Sequence, residues 1–168
     1  VDNLYGSIVF NDYIKAKHFK NAIIGSPDIG GVARARSVAK HLGLDIVIVD
    51  KRREKANESE VMNIIGDVKD KEVILVDDII DTAGTIVKAA EALKEKGAKS
   101  VMACCTHAVL SGKAYERIAS GVLDELVVTD TIPLKEQLPN IKVLSVTPVF
   151  AEVIRRVYHN ESVNSLFI

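Results

Sequence analysis

The chain has 168 residues, of which 48% are hydrophobic and 27% are charged. This length and composition predict one domain with a buried hydrophobic core, and they exclude a chain that is disordered throughout. Lys and Arg number 22 against 23 Asp and Glu, which leaves a formal net charge of -1. Because a protein that holds nucleic acid through its phosphates normally carries a basic excess, we expect no nucleic-acid partner.

The sequence contains neither a recognisable membrane span nor a signal peptide. No segment has roughly 18 consecutive apolar residues, and the first residues, VDNLYGS, lack the basic and apolar regions of a signal peptide. We therefore expect a cytoplasmic protein with no membrane partner. Since the first residue is Val rather than Met, we also expect the chain to be a piece of a longer one.

Six short apolar runs, rich in β-branched residues, alternate with helical patterns. In chain order they are 21–25, 46–49, 73–76, 101–105, 126–128 and 143–146. Continuous apolar runs are typical of strands covered on both faces, and repeated strand–helix–strand units give parallel pairing. The predicted fold is α/β, with a doubly wound and mostly parallel sheet. Cys104 and Cys105 lie on one of these strands and should be buried, reduced thiols on opposite faces.

Helical periodicity separates several of these runs. One helix is predicted over 32–42 with Gly43 as its stop, and another over 86–93 with Gly97 as its stop. Between them, the segment 51–60, KRREKANESE, has seven charged residues in ten and predicts a long loop. A hairpin at this loop would make the following run, 61–65, an antiparallel strand.

Two further helices are predicted in the last third of the chain. A short helix over 111–119 should have Ser111 as its N-cap. The last helix should begin with Thr147 as its N-cap and Pro148 at its first position. We expect it to bury the apolar face made of Phe150, Val153, Ile154 and Val157.

The segment 73–85, VILVDDIIDTAGT, carries the strongest chemical signal. A buried strand delivers Asp77 and Asp78 to its end, and the turn 81–85 opens directly into a helix. Small residues let backbone N–H groups approach an anion, and threonine hydroxyls and the helix dipole favour it. We therefore predict a monophosphate cradle, formed by Asp81, Thr82, Ala83, Gly84 and Thr85. The adjacent carboxylates suit the hydroxyls of a sugar, or a metal.

Two other strand ends should lie near this cradle, since ligands of open α/β sheets bind at the carboxyl ends of the strands. Asp28, in SPDIGG, could complete a Mg²⁺ shell or simply form the turn before a helix. A run of cations such as Lys51, Arg52 and Arg53 usually marks a solvated loop, but its place beside the predicted phosphate site, where cations can clamp a phosphoryl group, favours a functional role. A P-loop and a G-x-G-x-x-G fingerprint are both absent from the sequence.

The segment 73–85 resembles the phosphoribosyl diphosphate (PRPP) motif of the type I phosphoribosyltransferase fold. Together with SPDIGGVARA, DKRR, ACCTHAVLSG, ELVVTDTIPL and ESVNSLF, it makes the chain similar to ribose-phosphate pyrophosphokinases, or PRPP synthetases, over essentially its whole length. The resemblance is to the C-terminal half of that family, so it implies a single phosphoribosyltransferase-like domain, 1–168, without the N-terminal half. It also implies an enzyme that transfers the diphosphoryl group of ATP to the C1 hydroxyl of ribose 5-phosphate, with Mg²⁺.

The resemblance further implies roles for individual residues. It places the 5-phosphate of ribose 5-phosphate on the cradle, the ribose hydroxyls on Asp77 and Asp78, and Mg²⁺ on Asp28. Lys51 and Arg53 become the catalytic cations, and Arg53 also contacts the sugar phosphate. A regulatory phosphate at Ser111 and Gly112, and a homo-oligomer, the hexamer of the family, are implied as well.

This sequence departs from the family pattern at two positions. Glu54 follows DKRR and Lys113 follows the Ser-Gly pair, and at both places the family commonly has Pro. The resemblance puts most of the adenine pocket and a His metal ligand in the missing half. We therefore expect this chain to bind ribose 5-phosphate but to be inactive alone.

Two alternatives to the synthetase remain open. A phosphoribosyltransferase would use the same cradle to consume PRPP, and a non-catalytic regulatory relative would keep the fold for assembly. The DKRR and SPDIGG segments favour the synthetase over the transferase. The retained Lys51, Arg53, Asp77 and Asp78 favour an enzyme over the regulatory relative.

Overall fold

The computed structural model describes residues 4–52 and 61–166, with the side chains of 51, 52 and 61 outside the description. Arg53, Glu54 and the rest of the predicted loop up to residue 60 also lie outside the described residues. The strands are β1 Ala22–Ser26, β2 Ile46–Arg52, β3 Val61–Ile65, β4 Glu72–Ile80, β5 Ser100–Ala108, β6 Glu125–Thr129 and β7 Ile141–Leu144. The α-helices are α1 Ser7–Ala16, α2 Val32–Leu42, α3 Gly84–Glu95, α4 Ala114–Ala119 and α5 Thr147–Tyr158, followed by a 3₁₀ helix at Asn164–Leu166.

The seven described strands form one sheet in the order β3-β2-β1-β4-β5-β6-β7. Every neighbouring pair is parallel except β2 and β3, which are antiparallel with Asp50 opposite Asn63. The strand order reverses between β1 and β4, so the connections leaving these two strands diverge and open a crevice at their carboxyl ends. The predicted doubly wound α/β fold and the antiparallel strand at 61–65 are both confirmed.

The sheet separates two hydrophobic cores, which is why its strands are apolar on both faces. One core contains Val73 and Leu75 of β4 and the inner faces of α3 and α4. The other contains Ile74 and Val76 of the same strand and the inner faces of α1 and α2. The alternation along β4 follows directly from the two-residue side-chain period of a strand.

The two cysteines of β5 follow the same alternation. Cys104 belongs to the core of α1 and α2, and Cys105 belongs to the core of α3 and α4. Both are buried and free, as predicted. Burial raises the pKa of both thiols, that of Cys105 to about 12, so neither is primed as a nucleophile.

The helix stops at glycine are confirmed, whereas several strand ends differ from the sequence prediction. Gly43 and Gly97 have φ values of 67° and 92°, the left-handed conformation that ends a helix. Strand β2 continues to Arg52, so the predicted loop begins later than residue 51. Strand β4 continues to Ile80, so the carboxylates of residues 77 and 78 lie inside it.

Both predicted N-caps are wrong. Helix α4 begins at Ala114 after Lys113, and the Ser111 hydroxyl instead donates to the carboxylate of Asp81. Helix α5 begins at Thr147 itself, with Val146 as its N-cap and a proline in its first turn. In neither helix does the side chain of the N-cap residue cap the first turn, although in α5 the Ser145 hydroxyl accepts the N–H of Thr147 at 3.2 Å.

The prediction that α5 buries its apolar face is also wrong. None of its residues is buried, and Ile154 is 67% exposed. The helix follows β7, a four-residue strand at the edge of the sheet whose side chains are themselves half-buried or exposed, so among the described residues α5 lies outside both cores. Ion pairs of Glu152 with Arg155 and Arg156 lie along this exposed helix. Among the described helices, none has the length and apolar character to cross a membrane.

Truncating Leu93 and Ile154 separately should distinguish the buried core under α3 from the exposed face of α5. Leu93 on α3 is fully buried, so Leu93→Ala should lower the free energy of unfolding by about 2 to 5 kcal/mol through a cavity. Ile154→Ala on the exposed face of α5 should lower it by less than about 1 kcal/mol. Urea unfolding of the two variants checks this, and equal losses would contradict the exposed position of α5.

Candidate functional site

The carboxyl ends of β1 and β4 open onto a cavity of about 290 Å³. Its walls are Asp28 from the β1–α2 connection and residues 77–86 from the end of β4 and the start of α3. The cavity therefore lies at the point where the strand order reverses, which is the usual ligand position in open α/β sheets. The structure brings together the acidic residues and the cradle that the sequence predicted.

The cradle depends on an unusual backbone conformation at Ala83. This residue precedes α3 with φ 58°, in the left-handed region, and Gly84 then begins the right-handed helix. A left-handed residue next to a right-handed one directs successive backbone N–H groups into one concavity, which suits an anion. No described side chain caps α3, so the first N–H groups of the helix keep their capacity to bind a ligand.

The connection between β5 and α4 forms hydrogen bonds that hold the start of the cradle in place. The backbone N–H groups of Val109 and Leu110 donate to the carbonyl of Ile80, and the N–H of Ser111 donates to the carbonyl of Asp81 at 3.0 Å. The Ser111 hydroxyl also donates to the Asp81 carboxylate. Ser111 thus belongs to the support of the cradle. The regulatory phosphate at Ser111 and Gly112 stays a prediction.

A guanidinium from α2 bridges the two carboxylates of β4. Arg34 places Nη1 3.0 Å from Asp77 Oδ1 and Nη2 2.7 Å from Asp78 Oδ2. Gly31 leaves room for the Ser26 hydroxyl beside this ion pair, because a Cβ at position 31 would lie only 2.8 Å from that hydroxyl. The fork fixes the orientation of both carboxylates toward the crevice.

Burial dominates the ionisation of the first of these carboxylates. The Asp77 side chain is 20% exposed, against 59% for Asp78. Desolvation raises the pKa of Asp77 to about 6, although the backbone N–H of Asp78 and the guanidinium of Arg34 both favour the charged form. Asp77 is therefore a carboxyl group that can change its charge near neutral pH.

Sequence reasoning did not assign Arg34 to the site. Its partners lie more than forty positions away along the chain, so no local pattern joins them. The position of Arg34 in its helix was still informative. A cation in the first turn of a helix opposes the helix dipole, so a nearby anion is expected to compensate it. In the structure, the compensating anions are the carboxylates of Asp77 and Asp78.

Asp28 forms the turn that one interpretation predicted and also lines the crevice. Its Oδ1 accepts a hydrogen bond from the N–H of Gly31 at 2.8 Å, and its backbone carbonyl accepts one from the Ser26 hydroxyl at 2.7 Å. In the part of the chain that the structure describes, no three acidic, His or Cys side chains are grouped as a metal cage. A carboxylate beside the predicted phosphate cradle fits Mg²⁺, which takes one or two carboxylates together with phosphate oxygens and water.

The structure describes only the backbone of Lys51 among the two predicted catalytic cations, Lys51 and Arg53. Lys51 lies on β2 with its backbone opposite Met62, and Arg53 is outside the described residues. Because β2 is parallel to β1, its carboxyl end reaches the same edge of the sheet as Asp28. The catalytic roles of Lys51 and Arg53 stay predictions.

Solved structures share this arrangement of strands and helices. The crystal structure of phosphoribosylpyrophosphate synthetase from Mycobacterium smegmatis superposes with a TM-score of 0.83 and 38% identity, covering 92% of this chain and 51% of that chain. A purine phosphoribosyltransferase from Pyrococcus horikoshii superposes with a TM-score of 0.53 and 24% identity over 83% of this chain and 79% of that chain, which shows a common fold. Fold and crevice together define a protein of the type I phosphoribosyltransferase-like class.

Sequence comparison narrows the class to one family. A family model described as the phosphoribosyl synthetase-associated domain matches residues 52–168, and the chain belongs to the ribose-phosphate pyrophosphokinase (PRPP synthetase) family. The ribose-phosphate pyrophosphokinase of Wolinella succinogenes is 74% identical over 168 residues, which are 100% of this chain and 54% of that protein. The Helicobacter pylori protein of the same name is 70% identical over 167 residues, 99% of this chain and 52% of that protein. The chain thus spans about half the length of the curated relatives it matches.

Stability should fall as the pH rises through the titration of Asp77. The pKa of this carboxyl is raised from 3.8 to about 6, so over this interval the folded state holds a proton that the unfolded state has released. The free energy of unfolding should therefore decrease over this range because of Asp77, and urea unfolding at a series of pH values measures it.

Two variants isolate this contribution. Asp77→Asn, neutral at every pH, should lose this part of the decline. Arg34→Met removes the counter-charge, raises the pKa of Asp77 further and should extend the decline to higher pH. If Asp77→Asn keeps the full decline of the wild type, another group is responsible for it.

Proposed function

We propose that this chain is the C-terminal, ribose 5-phosphate-binding domain of a PRPP synthetase. The observation that carries the proposal is the juxtaposition, in one crevice, of an uncapped helix N-terminus and two carboxylates on the adjoining strand. The full reaction would transfer the diphosphoryl group of ATP to the C1 hydroxyl of ribose 5-phosphate and release AMP.

The two ends of ribose 5-phosphate have different chemical needs, and the crevice offers both. Its phosphate requires N–H and hydroxyl donors, which the cradle provides through the backbone at 83–85 and the hydroxyls of Thr82 and Thr85. Its ring hydroxyls require acceptors, which Asp77 and Asp78 provide. Since the cradle and the carboxylates are separated by only one short turn, a single small sugar phosphate can contact both.

Diphosphoryl transfer needs alignment and charge neutralisation more than covalent chemistry by the protein. Bound Mg²⁺ would supply part of that neutralisation, with Asp28 as its ligand from this chain. Lys51 and Arg53 would contact phosphoryl oxygens from the end of β2. ATP would bind between this edge of the sheet and the N-terminal half of the complete enzyme, which this chain does not contain.

A phosphoribosyltransferase that consumes PRPP is the second candidate, and the shared fold supports it. The two activities differ in their products, since a transferase releases diphosphate from PRPP and a synthetase releases AMP from ATP. Incubating the chain with PRPP and each nucleobase tests the transferase, and diphosphate release would support it.

Ribose 5-phosphate should bind the chain, and the cradle should account for the affinity. Thr85→Val removes a hydroxyl donor at nearly constant shape and should weaken binding about tenfold, while adding Gly84→Val should abolish it by crowding the backbone. Isothermal titration calorimetry measures both variants. Thr147→Val, the same change at the start of α5, is the matched control. Equal affinity in the cradle variants and the control would refute the cradle assignment.

Lys51 should affect turnover far more than sugar phosphate binding. A chimera in which this chain replaces the matching half of the Wolinella succinogenes enzyme provides the complete catalytic setting. In that chimera Lys51→Ala should lower kcat by about two orders of magnitude or more and change ribose 5-phosphate affinity only a few-fold, because the clamp acts on the transition state.

The isolated chain is the control for that experiment. It should form almost no AMP from ATP and ribose 5-phosphate, since the family resemblance puts most of the adenine pocket outside it. Vigorous AMP formation by the chain alone would contradict the assignment of ATP binding to the other half. Normal kcat in the Lys51→Ala chimera would show that Lys51 has no catalytic role.

A further inference from the structure

A cation outside the predicted motif lies against the phosphate cradle. Arg117 of α4 donates from Nη1 to the backbone carbonyl of Thr82 at 2.6 Å, although the two residues are 35 positions apart. The same Nη1 lies 3.6 Å from the place that a Cβ on Gly84 would take. Arg117 lines a second cavity, of about 360 Å³, which shares Thr82, Gly84 and Thr85 with the crevice and is also lined by Lys88 and Glu91.

Arg117 lies in the last turn of α4, where a cation is favoured, but its guanidinium also lies beside the N-terminus of α3. A guanidinium beside the N-terminus of α3 faces the positive end of the helix dipole. In the described part of the chain, no carboxylate forms an ion pair with Arg117 that would offset this repulsion. A bound phosphate would reverse the sign of the interaction, because it attracts both the guanidinium and the helix N-terminus.

The hydrogen bond to Thr82 has a second consequence for an anion. The carbonyl of Thr82 belongs to the cradle, and a carbonyl oxygen directed at a phosphate would repel it. Arg117 engages this carbonyl with one of its five N–H donors and leaves the others for further bonds. The arginine thus fixes the loop in the orientation that presents N–H groups, and it keeps a positive charge beside them.

We propose that Arg117 is a further phosphate-site residue, which positions the cradle through Thr82 and supplies the positive charge that the cradle itself lacks. This inference rests on the proposed function, since the anion concerned is the phosphate of the sugar ligand. No sequence pattern indicated this role, because Arg117 belongs to the short helix after Ser111 and not to the segment 73–85.

The test measures ribose 5-phosphate binding to the whole chain by calorimetry. Arg117→Met should weaken binding about ten- to a hundredfold, the usual range for losing a charged hydrogen-bonding partner. Arg117→Lys should recover much of the affinity because it keeps the charge. Lys113→Met removes a cation from the residue just before the same helix, away from the cavity, and should leave binding unchanged.

Two further readouts distinguish a phosphate-site role from a merely structural one. Millimolar guanidinium chloride should partly restore binding to Arg117→Met and leave the wild type unchanged. The ³¹P resonance of bound ribose 5-phosphate should shift between wild type and Arg117→Gln, which can still donate to Thr82 but carries no charge. Arg117→Gln also serves as the deciding variant if Arg117→Met does not fold.

The outcomes separate this inference from the proposed function. If the wild type does not bind ribose 5-phosphate, the proposed function and the role of Arg117 are both overturned. If the wild type binds and the folded Met or Gln variant binds within twofold of it, the proposed function stands and the role of Arg117 is overturned. Weakened binding with recovery in Arg117→Lys supports the inference.

Discussion

A half-buried carboxylate at the reversal of strand order needs a counter-charge, and that requirement links the two sides of the crevice. Asp77 lies on a central strand where desolvation opposes its ionisation, and Arg34 is the cation that offsets this cost. Arg34 reaches this carboxylate from the first turn of α2, directly after the N-cap residue Gly31. The connection that leads into α2 also carries Asp28, which lines the same crevice.

The phosphate side of the crevice depends instead on backbone geometry. Ala83 holds a left-handed conformation, which costs a non-glycine residue about 1 kcal/mol. The residue is buried, its carbonyl accepts the N–H of Val87, and the preceding carbonyls are engaged by the connection after β5. These surroundings hold the strained residue in place, which gives the loop less freedom than a glycine would allow. A binding loop that is already ordered loses less entropy when its ligand arrives.

Much of this fold could be predicted from the sequence, because the signals concerned are local. Apolar runs identified the strands, Gly43 and Gly97 marked helix ends, and the segment 73–85 identified the crevice. Arg34 and Arg117 could not be found in this way, because each meets its partner across the fold. The expectation for α5 failed for a related physical reason. Helical periodicity shows which side of a helix is apolar, but the supply of uncovered surface on the rest of the protein decides whether that side is buried.

The adjacent cysteines of β5 give the protein a reporter on each of its two cores. Both thiols are fully shielded in the folded state, and each packs under a different pair of helices. A thiol-specific reagent can reach Cys104 only when the layer of α1 and α2 opens, and Cys105 only when the layer of α3 and α4 opens. The relative alkylation rates of two neighbouring residues therefore record which layer opens first, and they do so without any added label.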